Sequence, residues 1–230
     1  MTIWESQWTI ESLSALFDVG QLNEISQEDK VRGDHDLNPG FLDRDRQRIS
    51  AAVIVPLVER PEGYSVLLTK RTDHLHDHAG QVSFPGGRVD PGDKDHNDAA
   101  LRELEEEVGL PRKHVNLIGR LDTYLTRTGF DITPVVGLIK PPFPVNPDSF
   151  EVAEVFEVPL NFFLKPGNCQ RHSREFEGHR RSYYAYSYEN YFIWGATAGM
   201  LTNLCDILKS TPVETLSKTP TKTPERARSY

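Results

Sequence analysis

Cysteine is almost missing from this chain: Cys169 and Cys205 are the only two in 230 residues. Two distant thiols make neither a disulfide framework nor the paired spacing of a zinc site, so a reducing, cytoplasmic setting is expected. Long apolar runs are missing too. The most apolar late stretch, Tyr191 to Leu208, is interrupted by Asn203 and Asp206 and falls short of the roughly 18–20 residues that span a bilayer. No membrane is expected, and Gly195 and Gly199 within that stretch are read as letting a buried closing helix pack closely. Met1 to Gly20 carries acids and polar residues through any candidate apolar region, so no signal peptide is expected. Positive charge is in deficit, with 26 Lys and Arg against 34 Asp and Glu and a net charge of −8. That balance argues against an extended nucleic-acid surface but leaves room for a local basic patch at Lys70, Arg71 and Arg88.

The remaining composition, 37% hydrophobic, is that of a chain able to bury one sizeable core. Residues 1–45 read as a polar N-terminal arm with a short helical candidate at Ile10 to Val19. The arm is expected to cap the domain or mediate subunit contact, which leaves a homodimer open. Residues 46–209 form one domain. From Ser210 to Tyr230 the chain is Thr, Pro, Lys, Ser and Glu with almost no apolar residues, and disorder is expected there. Strands are expected at Ala51 to Val58, Ser65 to Lys70, Val115 to Leu125, Thr133 to Ile139, Glu151 to Val158 and Ser182 to Tyr188, followed by a helix from Trp194 to Leu208. A mixed sheet with helices packed on it makes the fold class α/β, an α/β/α sandwich.

The segment from Gly86 to Leu110, GGRVDPGDKDHNDAALRELEEEVGL, concentrates the chemistry. Asn97 and Asp98 suit a helix start and Gly109 a helix stop, so Ala99 to Val108 reads as a short helix. Leu101, Leu104 and Val108 share its apolar face, while Glu103, Glu106 and Glu107 fall on a neighbouring arc. Like charges at these spacings repel by roughly 0.2–0.5 kcal/mol per pair, and Glu106 and Glu107 lie near the negative end of the helix dipole. Either the arc is a solvated acidic face or something positive sits against it. Oxygen donors without sulfur or paired imidazoles suit Mg²⁺ or Mn²⁺, ions that bridge carboxylates to substrate phosphates. The paired glycines of Phe84-Pro85-Gly86-Gly87, just ahead, let a ligand approach the backbone closely.

This segment resembles the Nudix box: Gly, five residues, Glu, seven residues, then Arg-Glu-apolar-x-Glu-Glu-x-Gly-apolar. Gly87 opens it, and Arg102, Glu103, Leu104, Glu106, Glu107, Gly109 and Leu110 match its second half. Asp93 stands where Glu is usual, with eight residues between it and Arg102. Upstream, LLTKRTDHLHDHAGQVSFPGG is similar to the signature of the coenzyme A pyrophosphatases within the Nudix superfamily. Leu67, Leu68, Thr69, Arg71, Leu75, Gly80 and Phe84 to Gly87 agree with it in register. His76 stands where that signature has Arg. The same subfamily carries the acid at Asp93 and the longer spacing.

What the resemblance implies is a Nudix fold and metal-dependent hydrolysis of a small molecule, coenzyme A or a derivative, at its pyrophosphate, releasing 3′,5′-ADP and a 4′-phosphopantetheine species. Glu103 and Glu107 are the expected principal metal ligands and Glu106 a further or water-mediated one. Arg102 orients the glutamates, and a carbonyl of Gly86 or Gly87 completes the set. Catalytic roles are therefore expected of Glu106, Glu107 and Arg102. EVAEVFEVPL resembles the subfamily's later segment and makes Glu151 the candidate general base. Arg71, His76, Lys70 and Arg88, with Gly86 and Gly87, are the candidate substrate contacts, Arg71 first for a 3′-phosphate. The alternatives are a pyrophosphatase of ADP-ribose or another nucleoside diphosphate derivative, and a non-catalytic ligand sensor.

Overall fold

The computed structural model describes residues 8–17, 31–39, 47–75, 77–176 and 178–210. His76, the end of the N-terminal helical candidate and the tail beyond Ser210 lie outside the described residues. The first elements are α1 (Ile10–Ser14), β1 (Val31–Gly33), β2 (Ile49–Arg60), β3 (Gly63–Arg71), β4 (Val82–Ser83) and β5 (Gly86–Arg88). Next come α2 (His96–Val108), β6 (Val115–Arg120), β7 (Thr123–Leu125), β8 (Phe130–Ile139), β9 (Val152–Pro159) and α3 (Leu160–Leu164). β10 (Cys169–Phe176), β11 (His179–Tyr188), β12 (Tyr191–Trp194) and α4 (Ala196–Lys209) follow.

β2 is the spine of the main sheet. It is buried from Ala51 to Val58, as a strand covered on both faces must be. One edge runs parallel to β8 from Ile49–Phe130 to Val58–Ile139. The other edge is shared, because Leu57–Arg60 pairs with β3 whereas Ala51–Val53 pairs with β5. β3 divides likewise: Gly63–Val66 pairs with β2, Thr69 and Lys70 pair with β4, and β9 takes the far edge. β2 and β3 therefore splay apart, and β4 and β5 fill the fork. Phe84-Pro85 crosses it, with the Ile54 N–H donating to Pro85 O at 2.9 Å and the Arg71 N–H to Gln81 O at 2.9 Å.

Alternation along β2 assigns its side chains to two cores. Ala52, Ile54 and Val58 face α2 through Ala99, Ala100, Leu104 and Val108. Val53, Val55 and Leu57 face the opposite layer, with Leu13, Phe163, Leu201 and Leu204 from α1, α3 and α4. A mixed sheet between helical layers is the α/β sandwich expected from the sequence. Trp8, Leu13 and Phe17, from the segment read as an arm, belong to this second core. β1 pairs in parallel with β7, and Gly119 leaves room for Phe17, whose Cα would lie 3.2 Å from an added Cβ.

Some boundaries differ from those expected. Val115 to Leu125 is two strands, since Leu121 and Asp122 interrupt it. The closing helix begins at Ala196 rather than Trp194 because Trp194 still pairs with Ala185 and Gly195, at φ 66°, ends the strand. Gly199 lies against the Tyr124 ring, whose Oη is 2.7 Å from where a Cβ would be, so this glycine does permit close packing. β10, β11 and β12 make a separate antiparallel sheet. No helix among the described residues is long and apolar enough to cross a membrane.

Candidate active site

The helix that carries the acidic residues starts earlier than expected, at His96 rather than Ala99. Asp95 is its N-cap and accepts the Asp98 N–H at 2.9 Å, which removes one unsatisfied donor of the first turn. Gly109 ends it at φ 67°, its N–H donating to Glu105 O at 3.0 Å. The helix is rolled so that Ala100, Leu104 and Val108 meet the sheet while Leu101 stays half-buried. That roll corrects the expected acidic face. Glu106 is exposed and Glu103 half-buried, but Glu107 is buried, with 5% of its surface accessible.

Arg102 organises this face. Its Nε and Nη2 donate to Asp93 Oδ1 and Oδ2 at 2.9 and 3.0 Å, and its Nη1 donates to Glu103 Oε1 and Glu106 Oε2, both at 2.9 Å. Nη2 also reaches Arg88 O at 3.0 Å. A planar guanidinium is suited to such a fork. The bonds to Arg102 hold the Asp93 carboxyl below the usual range. Burial pushes Glu103 up, against the pull of Arg102.

Glu107 sits deeper. Burial, followed by the neighbouring Glu103 charge, pushes its pKa up to about 8 despite Arg71 and a hydrogen bond from the Gly86 N–H. Arg71 Nη1 lies 3.5 Å from Glu107 Oε1 and its Nη2 lies 3.8 Å from Glu151 Oε2. The 140–151 segment brings Glu151 here by satisfying the last carbonyls of α2: Asn146 N–H donates to Val108 O at 2.9 Å and Asp148 N–H to Glu107 O at 3.0 Å. Thr72 then fixes it, its N–H donating to Glu151 O at 3.0 Å and its Oγ1 to Phe150 O at 2.8 Å.

The glycines are shaped by these neighbours. A Cβ at Gly86 would lie 2.5 Å from Ala52 O and 2.6 Å from Val53 Cα, so only glycine lets β5 lie this close to β2. At Gly87 a Cβ would collide with the Glu103 carboxylate. Among the described residues no three acidic, His or Cys groups already surround a single point that could hold a metal ion. Arg102 and Arg71 instead lie against the carboxylates. Even so, Glu107 Oε2 is buried without a hydrogen-bond partner among the described residues, and an orphaned carboxylate oxygen beside other acids is a costly arrangement that a cation relieves. Oxygen donors from Glu103, Glu106 and Glu107 suit a hard divalent ion.

A cavity of about 510 Å³ opens beside the cluster. Arg71, Gly86, Gly87 and Arg88 line it, and Lys70 does not. Arg71 thus stands with the carboxylates. The cavity is also lined by residues that the sequence does not single out: Arg127 in the turn before β8, and Arg174, Arg181, Tyr183 and Trp194 from the small sheet. They are scattered along the chain, and only the pairing of β10, β11 and β12 brings the last four together.

The family model for the NUDIX domain matches residues 48–178. A protein of Cronobacter sakazakii called uncharacterized Nudix hydrolase NudL is 46% identical over 154 residues, which is 67% of this chain and 80% of that one. Its namesake from Yersinia pestis is 43% identical over 67% of this chain and 77% of that one. A solved Ap4A hydrolase of C. elegans superposes with a TM-score of 0.42 at 22% identity, over 48% of this chain and 80% of that chain. With the matched region spanning both the β4–β5 fork and the glutamate-bearing helix, the chain belongs to the Nudix hydrolase family.

Proposed function

We propose that this Nudix hydrolase cleaves the pyrophosphate bond of coenzyme A or a coenzyme A derivative, yielding 3′,5′-ADP and 4′-phosphopantetheine or its acylated form. Nudix hydrolases generally use divalent metal ions; here Mg²⁺ or Mn²⁺ is the ion that the oxygen donors favour. The observation that carries the reading is the placement of the upstream signature. Leu67 to Gly87 runs from β3 through β4 to β5, delivers Arg71 to Glu107 and Glu151, and lines one wall of the cavity. The residues that set this subfamily apart thus join the carboxylates to a space within the range that holds a nucleotide-sized ligand.

A pyrophosphate resists attack because its oxygens repel an incoming nucleophile. A bound divalent ion supplies charge neutralisation and a more acidic water. Glu103 and Glu107 are the residues to hold it, with Glu106 contributing directly or through water and a Gly86 or Gly87 carbonyl completing the set. Arg102 keeps Glu103 and Glu106 in place. Arg71 directs its cation toward the substrate oxygens and lowers the cost of bringing them beside Glu107. Glu151, whose side chain is 43% accessible, takes the proton from the attacking water. Glu103, Glu106 and Glu107, the glutamates of the second half of the box, are all present, which counts against a silent sensor.

Initial rates with coenzyme A, acyl-coenzyme A, ADP-ribose, NADH and dinucleoside polyphosphates, with products separated by chromatography, test the proposal. Coenzyme A species should be cleaved fastest. Faster cleavage of ADP-ribose would move the chain to the alternative specificity.

A further inference from the structure

Two arginines reach the acidic cluster, and they are held in opposite ways. Arg102 donates to Asp93, Glu103 and Glu106 at 2.9–3.0 Å and to Arg88 O at 3.0 Å. Arg71 makes no contact of that quality. Its Nη1 stands 3.5 Å from Glu107 Oε1 and its Nη2 3.8 Å from Glu151 Oε2, both longer than the roughly 2.7–3.2 Å of a hydrogen bond. Its Nε is buried without a hydrogen-bond partner among the described residues. Charge, rather than directional bonding, holds this guanidinium against the two acids.

Its position gives it a second direction to face. The register of β3 with β9 shifts between Lys70 and Arg71, an irregularity of the kind that re-aims a side chain beside an active site. From there Arg71 meets Glu107 and Glu151 and also lines the cavity. Its side chain is 23% accessible against 5% for that of Glu107, so the guanidinium touches both the buried carboxylate and the space that a substrate enters. Glu107 is left with Arg71 as its ion-pair partner among the described residues, because Arg102 is bonded to the other acids.

We infer that Arg71 is an exchangeable counter-ion: a divalent ion on Glu107 displaces the guanidinium, which turns to the substrate's pyrophosphate, so that ion and substrate bind cooperatively. A divalent ion at Glu107 and a guanidinium 3.5 Å from the same carboxylate repel each other. Removing Arg71 favours a proton on Glu107 as well, but a proton carries one charge where the ion carries two, and the ion gains more. Each ligand requires Arg71 to part from Glu107, and the parting is made once for both, which couples the two binding events. The inference rests on the metal-dependent pyrophosphatase reading above and goes beyond it by giving Arg71 two successive partners.

The test is calorimetric titration of the full chain with Mn²⁺, and with ADP in the presence and absence of Mn²⁺, for wild type, Arg71→Gln and Arg71→Met. ADP is the probe because its diphosphate is common to coenzyme A and ADP-ribose, and its own affinity for the ion is the same against every protein. Both variants should bind Mn²⁺ at least about threefold more tightly than wild type, whereas removal of a residue that only supports the site would loosen the ion. The gain in ADP affinity that Mn²⁺ brings should shrink by about threefold or more in both. Thermal unfolding in chelator shows which variants are folded, and two chemically different replacements keep the comparison if one is not. Mn²⁺ affinity unchanged or weakened in a folded variant, or an undiminished gain for ADP, would overturn the inference. Coenzyme A turnover is read separately. Tighter Mn²⁺ and reduced coupling in a protein that leaves coenzyme A uncut uphold the exchange and remove the coenzyme A reading; cleavage of coenzyme A with neither effect removes the exchange alone.

Discussion

Arg102 and Asp93 meet fork to fork, Nε to Oδ1 at 2.9 Å and Nη2 to Oδ2 at 3.0 Å. Asp93 Oδ2 also accepts the Asp90 N–H at 2.8 Å, so one carboxylate ties the turn after β5 to the helix. The guanidinium is thereby fixed with Nη1 free to hold Glu103 and Glu106. Asp93 stands where the general box has Glu, and the longer spacing to Arg102 accompanies that shorter side chain; in the structure the two still meet with good geometry.

Arg102→Lys keeps the charge but loses the fork, so the glutamates lose their alignment. Mn²⁺ affinity and kcat/KM should both fall by about 10- to 100-fold, the usual cost of removing a residue that orients metal ligands. Titration calorimetry and steady-state rates check this; values within about twofold of wild type would show that Arg102 makes only a surface ion pair.

The stability of the metal-free protein should depend on pH through Glu107. Its pKa of about 8 lies above the ordinary 4.5, so the folded state binds more protons than the unfolded state between those values. Stability is therefore greatest below the ordinary value and falls as pH rises through about 8. Glu107→Gln should flatten this slope and be the more stable protein near pH 8, by on the order of a few kcal/mol at most. Thermal unfolding in chelator at a series of pH values measures it; parallel profiles for the two proteins would contradict the buried, repelled carboxylate.

Gly87→Ala should preserve the fold and impair catalysis, because the added methyl displaces the flexible Glu103 carboxylate rather than backbone. Gly92→Ala, where a Cβ would meet nothing within 4 Å, is the matched control. Circular dichroism and kcat/KM for the pair check the prediction; equal activity in both would remove Glu103 from the centre.

Glu151→Gln should lower kcat by about 10²- to 10⁴-fold, the range for losing general acid–base assistance, while Mn²⁺ affinity changes little. If metal affinity falls instead and kcat at saturating metal is kept, Glu151 is a ligand and the base lies elsewhere.

Much of the centre was legible because its pattern is local. Helical spacing alone brings Glu103, Glu106 and Glu107 to one side, and the paired glycines announce a close approach. The burial of Glu107 was not legible, since it depends on how α2 rolls against β2 and on the 140–151 segment covering its last turn. The helix start was misplaced because Asp95, Asn97 and Asp98 are all capping types, and only the Asp95–Asp98 hydrogen bond decides among them. β10, CQRHSREF, has too little apolar alternation to mark a strand, and β12 merges in sequence with the apolar helix that follows Gly195. The second sheet, and with it the arginine wall of the cavity, could not be read from local pattern.

The central claim is that the buried carboxylate of Glu107 serves the hydrolysis of a coenzyme A pyrophosphate. The most direct measurement is turnover of coenzyme A at saturating Mn²⁺ or Mg²⁺ by wild type and by Glu107→Gln, with products identified by chromatography. The account predicts 3′,5′-ADP and 4′-phosphopantetheine from wild type, and a loss of at least about a hundredfold, or about 2.7 kcal/mol, in the variant with its thermal stability intact. A wild type that leaves coenzyme A uncut, or a variant that keeps half or more of the wild-type kcat, would contradict it.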